Sequence, residues 1–386
     1  MATRLRLTEL IERAEIVARD VLRPNVEEED REALWPEPGM RALAASGLMG
    51  LNAPVSAGGL GQGLEALVCM ARVLARENAS AALCYAMHCV GTAVIGAKAS
   101  KVQQERFLEP IAAGEHITTL ALSEPGSGAQ FYFPETAVRP APDGYVLDGV
   151  KSFVTNGGQA DSYVISTAAA DAAAGEGVFS VVLVGADSAG LSWGEPWQGF
   201  GMRGNSSRTV ELEGVRVGSD SLLGREGDQL WYVFEVVTPY FLAAMAGTYL
   251  GIAEAAVDLA AEHLGSRRHS HTGDLLGANP ILSSELGSMW IKLESTRQLV
   301  LYSARRADAA AADGLSGILA CKAAATEAAV DLTNRAMTLV GGLGYRENSH
   351  LSRLLRDARA GHIMAPTTQV LETWLGRALL GMPLLQ

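Results

Sequence analysis

The chain has 386 residues, 48% of them hydrophobic and 19% charged, with a net charge of −12. Its length holds two or three domains with ample core, and the balance excludes a disordered chain. The acidic charge and dispersed basic residues argue against a nucleic-acid surface, and no apolar run free of charges and glycines is long enough for a bilayer span. The first twenty residues (MATRLRLTELIERAEIVARD) mix charges with apolar residues in helical rhythm and lack a signal-peptide core, so a cytoplasmic location is expected. Residues 1–117 read as helices, including Met40–Leu48 and Leu64–Asn78 around a Gly58-Gly59-Leu60-Gly61 loop. Cys69, Cys84, Cys89 and Cys321 are too few and scattered for a disulfide framework and read as buried thiols; no metal-ligand spacing appears among Cys and His.

Residues 118–225 change character. Short β-branched or alternating runs (Tyr163-Val164-Ile165, Val178–Val184, Val210-Glu211-Leu212) are bounded by Gly and Asp turns, and Pro142-Asp143-Gly144 signals a hairpin. This reads as a small barrel-like β domain. The second half of the Ala-rich stretch from Gln159 to Gly177 reads as a surface loop. Over residues 226–386 long helical segments return at Tyr240–Leu264, Ile281–Gly314, Ile318–Gly341 and Thr368–Gly381, which suggests a four-helix bundle. The expected fold is α+β in three domains.

Two segments before the middle carry the chemistry: Leu122-Ser123-Glu124-Pro125-Gly126-Ser127-Gly128 and Lys151-Ser152-Phe153-Val154-Thr155-Asn156-Gly157-Gly158. Each is a strand end running into a Gly- and Asn-containing turn, which frees backbone N–H groups and lets a ligand approach the main chain. Together they resemble the flavin-binding segments of the acyl-CoA dehydrogenase superfamily, T-E-P-x-x-G-S-D and K-x-W-I-T-N-G. Residues 43–63, the 201–217 segment, the VGGLGY stretch at 340–345 and Leu355-Arg356-Asp357-Ala358-Arg359 resemble further family signatures, so the likeness covers nearly the whole chain.

The resemblance implies FAD held between the three domains of a homodimer or homotetramer. It places Leu122, Ser123 and Gly128 against the flavin ring and phosphates, and the Thr155 hydroxyl at flavin N5. Phe153 becomes the flat wall where the family usually has Trp; its plain alternative is a half-buried strand aromatic. Gly341 and Gly342, which equally suit a helix C-cap, would meet the dinucleotide across a subunit interface. Thr367 and Gln369 match a T-x-Q pair, and Arg267 or Arg268 matches an arginine that reaches the partner's pyrophosphate. The HSHTGD segment after Arg268 and Thr338 depart from the family pattern.

The family's catalytic glutamate is missing. Ala365 stands in its place and Pro366 follows, while the alternative position on the first bundle helix falls near Phe241. Only the Ala365 backbone N–H survives to polarise a thioester carbonyl. His88 is the candidate replacement base, weighed against a buried core histidine; Tyr240, Glu235 and His362 are weaker candidates. Pro239, Leu242 and Ala129-Gln130 replace polar CoA and motif residues. The expected function is therefore FAD-dependent oxidation at the α and β carbons of an unusual acyl thioester, carried by CoA or by a carrier protein. A flavin monooxygenase, a redox-neutral flavoenzyme and a catalytically silent subunit are the alternatives.

Overall fold

Leu10, Ala14 and Val17 recur at helical spacing and are buried together on α1 (Leu7–Val17). A π-helical turn leads into α2 (Arg23–Glu32), and α3 (Glu37–Ala45) follows. The computed structural model describes residues 6–169 and 178–385. The surface-loop expectation falls largely on residues 170–177, outside the described residues.

Helix α4 (Leu64–Ala75) starts where the Asp308 carboxylate accepts the N–H groups of Leu64 and Glu65 at 2.7 and 2.9 Å, an acid at a helix N-terminus. Helix α5 (Ala79–Ala97) is capped by Asn78, whose side chain accepts from Ala81 N–H. Apolar all round, α5 runs through the core, where it packs on α4 and the first strand. Helices α6 (Lys101–Gln103) and α7 (Glu109–Ala113) close the N-terminal part.

The middle part is one mixed sheet: β1 (Thr118–Ala121), β2 (Ala137–Ala141), β3 (Gly144–Val154), β4 (Ser162–Ala169), β5 (Phe179–Gly185), β6 (Leu191–Trp193), β7 (Arg208–Gly218) and β8 (Leu222–Leu223). The order is β6-β7-β3-β2-β4-β5-β8, with β1 parallel to β4. The expected hairpin forms, with Ala141 opposite Gly144 across Pro142-Asp143. Among the described residues the end strands β6 and β8 do not pair, so hydrogen bonds do not close the sheet into a barrel.

Helix α8 (Gln229–Trp231) continues through a π-helical turn (Tyr232–Val237) into α9 (Thr238–Ser266). Helices α9, α10 (Pro280–Asp308) and α11 (Gly314–Val340) form the bundle with α13 (Thr368–Leu379). Helix α12 (His350–Arg359), not anticipated from sequence, carries the RDA segment and packs on α9 and α11. Among the described residues two helices are apolar and long enough to span a membrane, Ala79–Ala97 and the continuous Gln229–Ser266, and both are mostly buried inside the protein. All four cysteines are free and buried.

Candidate functional site

The two Gly-rich motifs meet because the chain leaving β1 runs beside β3, where Ser152 N–H donates to the Ser123 carbonyl at 2.8 Å. An ion pair locks them. Lys151 Nζ, fully buried, lies 2.6 Å from Glu124 Oε1 and 3.0 Å from Ser166 Oγ. Glu124 also accepts Thr136 N–H at 2.9 Å, the Thr136 hydroxyl at 2.6 Å and Glu135 N–H. Burial pulls the Lys151 ammonium down to about 8, against the opposing pull of Glu124. Glu124 is pulled below its ordinary value: its bonds to Lys151, Thr136 and Glu135 outweigh the largest single influence, burial, which raises it. Sequence reading gave neither residue a role, although an acid in one motif and a lysine in the other was the available signal.

The flavin-side residues from the sequence gather around this lock. Leu122 is buried and Ser123 half-buried. Gly128 takes φ +51°, and a Cβ there would meet nothing within 4 Å. Phe153 takes φ +54° yet stays 67% exposed, with its ring edge-on to Trp197. A bulky residue in the left-handed region with its ring in solvent is a local cost of the kind that accompanies ligand sites. Among the described residues, the hydroxyl of Thr155 has no protein partner, while its carbonyl accepts from Thr119 Oγ1 at 2.9 Å. Asn156 (φ +59°) is fully buried. Its amide donates to the Cys84 carbonyl and accepts from the Trp35 indole, both at 2.9 Å, which ties the turn to the N-terminal helices.

On the bundle, Gly341 (φ +66°) ends α11 and Gly342 follows it; both are exposed in open space. Arg267 is exposed at the end of α9, and Arg268 donates to the Gly273 carbonyl. Thr367 is the N-cap residue of α13 without a capping side-chain bond, and Gln369 points to solvent in its first turn. Ala365 is partly buried against the core. Beneath it, the fully buried Lys322 of α11 donates to the Gly361 carbonyl at 2.7 Å and the Pro366 carbonyl at 3.1 Å. It thus holds both ends of the Ala365 turn, a third residue whose role the sequence did not reveal. The RDA segment docks on both other parts of the chain: Asp357 accepts Met202 N–H, between β6 and β7, at 2.6 Å, and Arg356 pairs with Asp30 of α2.

Both ring nitrogens of the candidate base are already engaged. His88 is fully buried, with Nε2 2.9 Å from the Met49 carbonyl and Nδ1 accepting Thr118 N–H at 3.2 Å. The Nε2–H tautomer satisfies both contacts and leaves no lone pair free, and burial pulls the ring down to about 4. His88 is a core histidine. Burial raises the Tyr240 phenol, making it a poorer base still, and Glu235 is exposed. His362 Nδ1 lies 3.4 Å from Thr368 Oγ1 and 3.5 Å from Glu327 Oε1.

This arrangement fits FAD: a positive-φ glycine with open space, an unpartnered hydroxyl and an exposed aromatic wall share one turn system. The comparisons agree with it. The N-terminal, middle and C-terminal domains of acyl-CoA dehydrogenase match residues 7–115, 119–215 and 240–380. The chain belongs to the acyl-CoA dehydrogenase family, and it is a flavoprotein oxidoreductase whose cofactor is FAD. An acyl-CoA dehydrogenase of Bacillus subtilis is 28% identical over 365 residues, covering 94% of this chain and 95% of the relative. The butyryl-CoA dehydrogenase of Megasphaera elsdenii superposes with a TM-score of 0.91 at 25% identity, covering 98% of this chain and all of the other. PigA, solved with FAD and proline, superposes with a TM-score of 0.88 at 20% identity over 98% of this chain and 99% of its own; this likeness concerns the fold.

Proposed function

We propose that the protein oxidises the α and β carbons of an unusual acyl thioester, on CoA or on a carrier protein, without the family's glutamate base. This reading rests on the buried Lys151–Glu124 pair that joins the two Gly-containing motifs, taken as the flavin side, and on Ala365, which the sequence sets where the family's glutamate would stand. Leu122, Ser123 and Gly128 would hold the ring and phosphates of FAD, Phe153 would wall the ring, and Thr155 would direct its free hydroxyl at N5. Bound there, FAD supplies a hydride acceptor. Gly341, Gly342, Thr367, Gln369 and Arg267 would hold the dinucleotide end, with Gly341, Gly342 and Arg267 reaching it across a subunit interface. Ile281, Ile291 and Tyr302, exposed along one face of α10, support a homodimer or homotetramer.

The thioester carbonyl oxygen would accept the Ala365 N–H, in a turn that Lys322 fixes from below. No side chain at position 365 takes the α-proton. The substrate must therefore bring an acidified α-proton or a good leaving group, because general-base help is worth about 10²–10⁴-fold. PigA, of the same fold, was solved with proline, so this fold accepts a ligand other than a fatty acyl chain.

The test is anaerobic mixing of the purified holoenzyme with CoA-bound and carrier-bound forms of one acyl group, following flavin absorbance and product mass. Bleaching with loss of two mass units supports dehydrogenation. Product without bleaching supports redox-neutral chemistry. A product one oxygen heavier, formed only with reduced flavin and oxygen, replaces the reading with a monooxygenase.

A further inference from the structure

The loop after Gly128 carries three aromatic residues in succession, Phe131-Tyr132-Phe133. Glu124 pins the far end of this loop through Glu135 N–H, Thr136 N–H and the Thr136 hydroxyl, and Phe133 packs on Phe179 of β5 with ring centroids 5.9 Å apart. Tyr132 projects into the bundle. Its ring centroid lies 5.8 Å from that of Phe234 and 6.2 Å from that of Trp374, and those two rings are 6.0 Å apart. The three form a closed aromatic triangle, with Phe131 and Phe133 packed on Tyr132 at 5.6 and 4.7 Å. Tyr132 and Trp374 are almost fully buried.

Each corner belongs to a segment that also carries a candidate site residue. Tyr132 follows Gly128 in the sheet motif. Phe234 sits in the π-helical turn that runs directly into α9, where Tyr240 and Phe241 begin the bundle. Trp374 lies on α13, whose N-cap is Thr367, next to Ala365 and Pro366. The triangle therefore fills the seam where the sheet domain meets the bundle, four, six and seven residues along the chain from Gly128, Tyr240 and Thr367.

We propose that Tyr132 is a specificity-determining residue that fills this seam and limits the acyl group to a short one. The inference rests on the thioester reading of the site. An aromatic ring clamped between two others gives way only if all three rings repack, so a long acyl chain meets a filled volume while a short one stops before it.

The experiment uses the FAD-loaded protein with propionyl- and octanoyl-N-acetylcysteamine, two thioesters that share one short thiol. Binding is read from the perturbation of the flavin spectrum. The wild type is expected to prefer propionyl by about tenfold or more, the scale on which apolar pockets discriminate. Tyr132→Ala is expected to erase or invert that ratio, and Tyr132→Phe, which keeps the ring, to retain it. Trp374→Ala opens the same space from the bundle side and is expected to shift the ratio in the same direction, which keeps the test intact if Tyr132→Ala fails to retain FAD. An unchanged ratio in FAD-loaded Tyr132→Ala and Trp374→Ala, or a wild type that prefers octanoyl, overturns the role of Tyr132 while leaving the thioester reading standing. If neither thioester perturbs the flavin of any form, the thioester reading falls and the inference falls with it.

Discussion

Lys151 Nζ and Glu124 Oε1 lie 2.6 Å apart with both side chains shut away from water, and this contact joins the two motifs proposed to hold the flavin. A buried pair adds little stability over an apolar replacement of both residues, but losing one partner strands the other. Lys151→Met or Glu124→Gln is expected to cost ~3–5 kcal/mol and to release FAD. Urea denaturation and the flavin-to-protein absorbance ratio read the two effects. A variant of full stability and full FAD content would show that the pair does not organise the turns.

Glu29 gives a pH signature. It is buried, Oε2 accepts from Asn78 at 2.6 Å, Oε1 has no partner among the described residues, and Arg353 and Glu28 lie near. Burial pushes its carboxyl up to about 7 from 4.5. Between those values the folded protein holds a proton that the unfolded chain has released, so stability falls as pH rises through that window. Glu29→Gln removes this loss. Its stability relative to wild type is expected to grow from pH 4.5 to 7 by an amount of order 3 kcal/mol and to level off above. Burial pushes Asp357 up in the same way, to about 6, but it contributes equally to both proteins and cancels in the difference. A difference that stays flat across the window would reject the assignment.

Gly128 separates folding from cofactor binding. At φ +51° a side chain costs ~1–2 kcal/mol, but a Cβ would meet no protein atom within 4 Å. Gly128→Ala is expected to fold with a modestly lowered melting temperature and to bind FAD about tenfold more weakly, a loss of about 1.4 kcal/mol. Titrating apoprotein with FAD measures it. Unchanged FAD affinity would place the cofactor away from this turn.

The motifs were legible in the sequence because their information is local. Gly128, Thr155 and Asn156 announce turns, and the hairpin at Pro142-Asp143 forms where the dipeptide says it should. Residues whose roles depend on distant partners were not legible. Trp374 reads as one apolar position on a terminal helix until Tyr132, 242 positions earlier, is found against it. Lys322 sits mid-helix in an Ala-rich segment, and nothing nearby in sequence names the carbonyls of Gly361 and Pro366 as its acceptors. His88 looked usable because periodicity places a side chain on a helix face but does not reveal that Met49 and Thr118 occupy both of its nitrogens. Short β6 and β8 gave no sequence sign that, among the described residues, hydrogen bonds would leave the sheet unclosed.

The α10 face should report the assembly. Ile281, Ile291 and Tyr302 are 76%, 64% and 55% exposed in the single chain and lie on one side of α10, ten and eleven residues apart. Ile291→Arg is expected to shift the protein to a smaller species in analytical ultracentrifugation and, if Gly341, Gly342 and Arg267 act across the interface, to weaken FAD retention in parallel. An unchanged sedimentation coefficient would move the interface elsewhere.

The last prediction addresses position 365. Lys322 already fixes the turn from Gly361 to Pro366, so the Ala365 N–H should lie where a thioester carbonyl can use it. On the proposed reading, what the site lacks is a carboxylate within reach of the α-proton. Ala365→Glu supplies one, and adding Pro366→Gly frees the backbone of the proline restraint on the preceding residue. The double variant is expected to reduce its flavin anaerobically with a short, saturated thioester that leaves wild-type flavin oxidised, and the gain should approach the ~10²–10⁴-fold worth of a positioned base. The new carboxylate must be ionised to act, so the rate should rise with pH through its pKa and then plateau. The control is Ala365→Gln with Pro366→Gly, which has nearly the same shape but cannot take a proton. If glutamate and glutamine variants behave alike while the thioester still perturbs the flavin spectrum, the missing carboxylate is not what separates this protein from ordinary dehydrogenation.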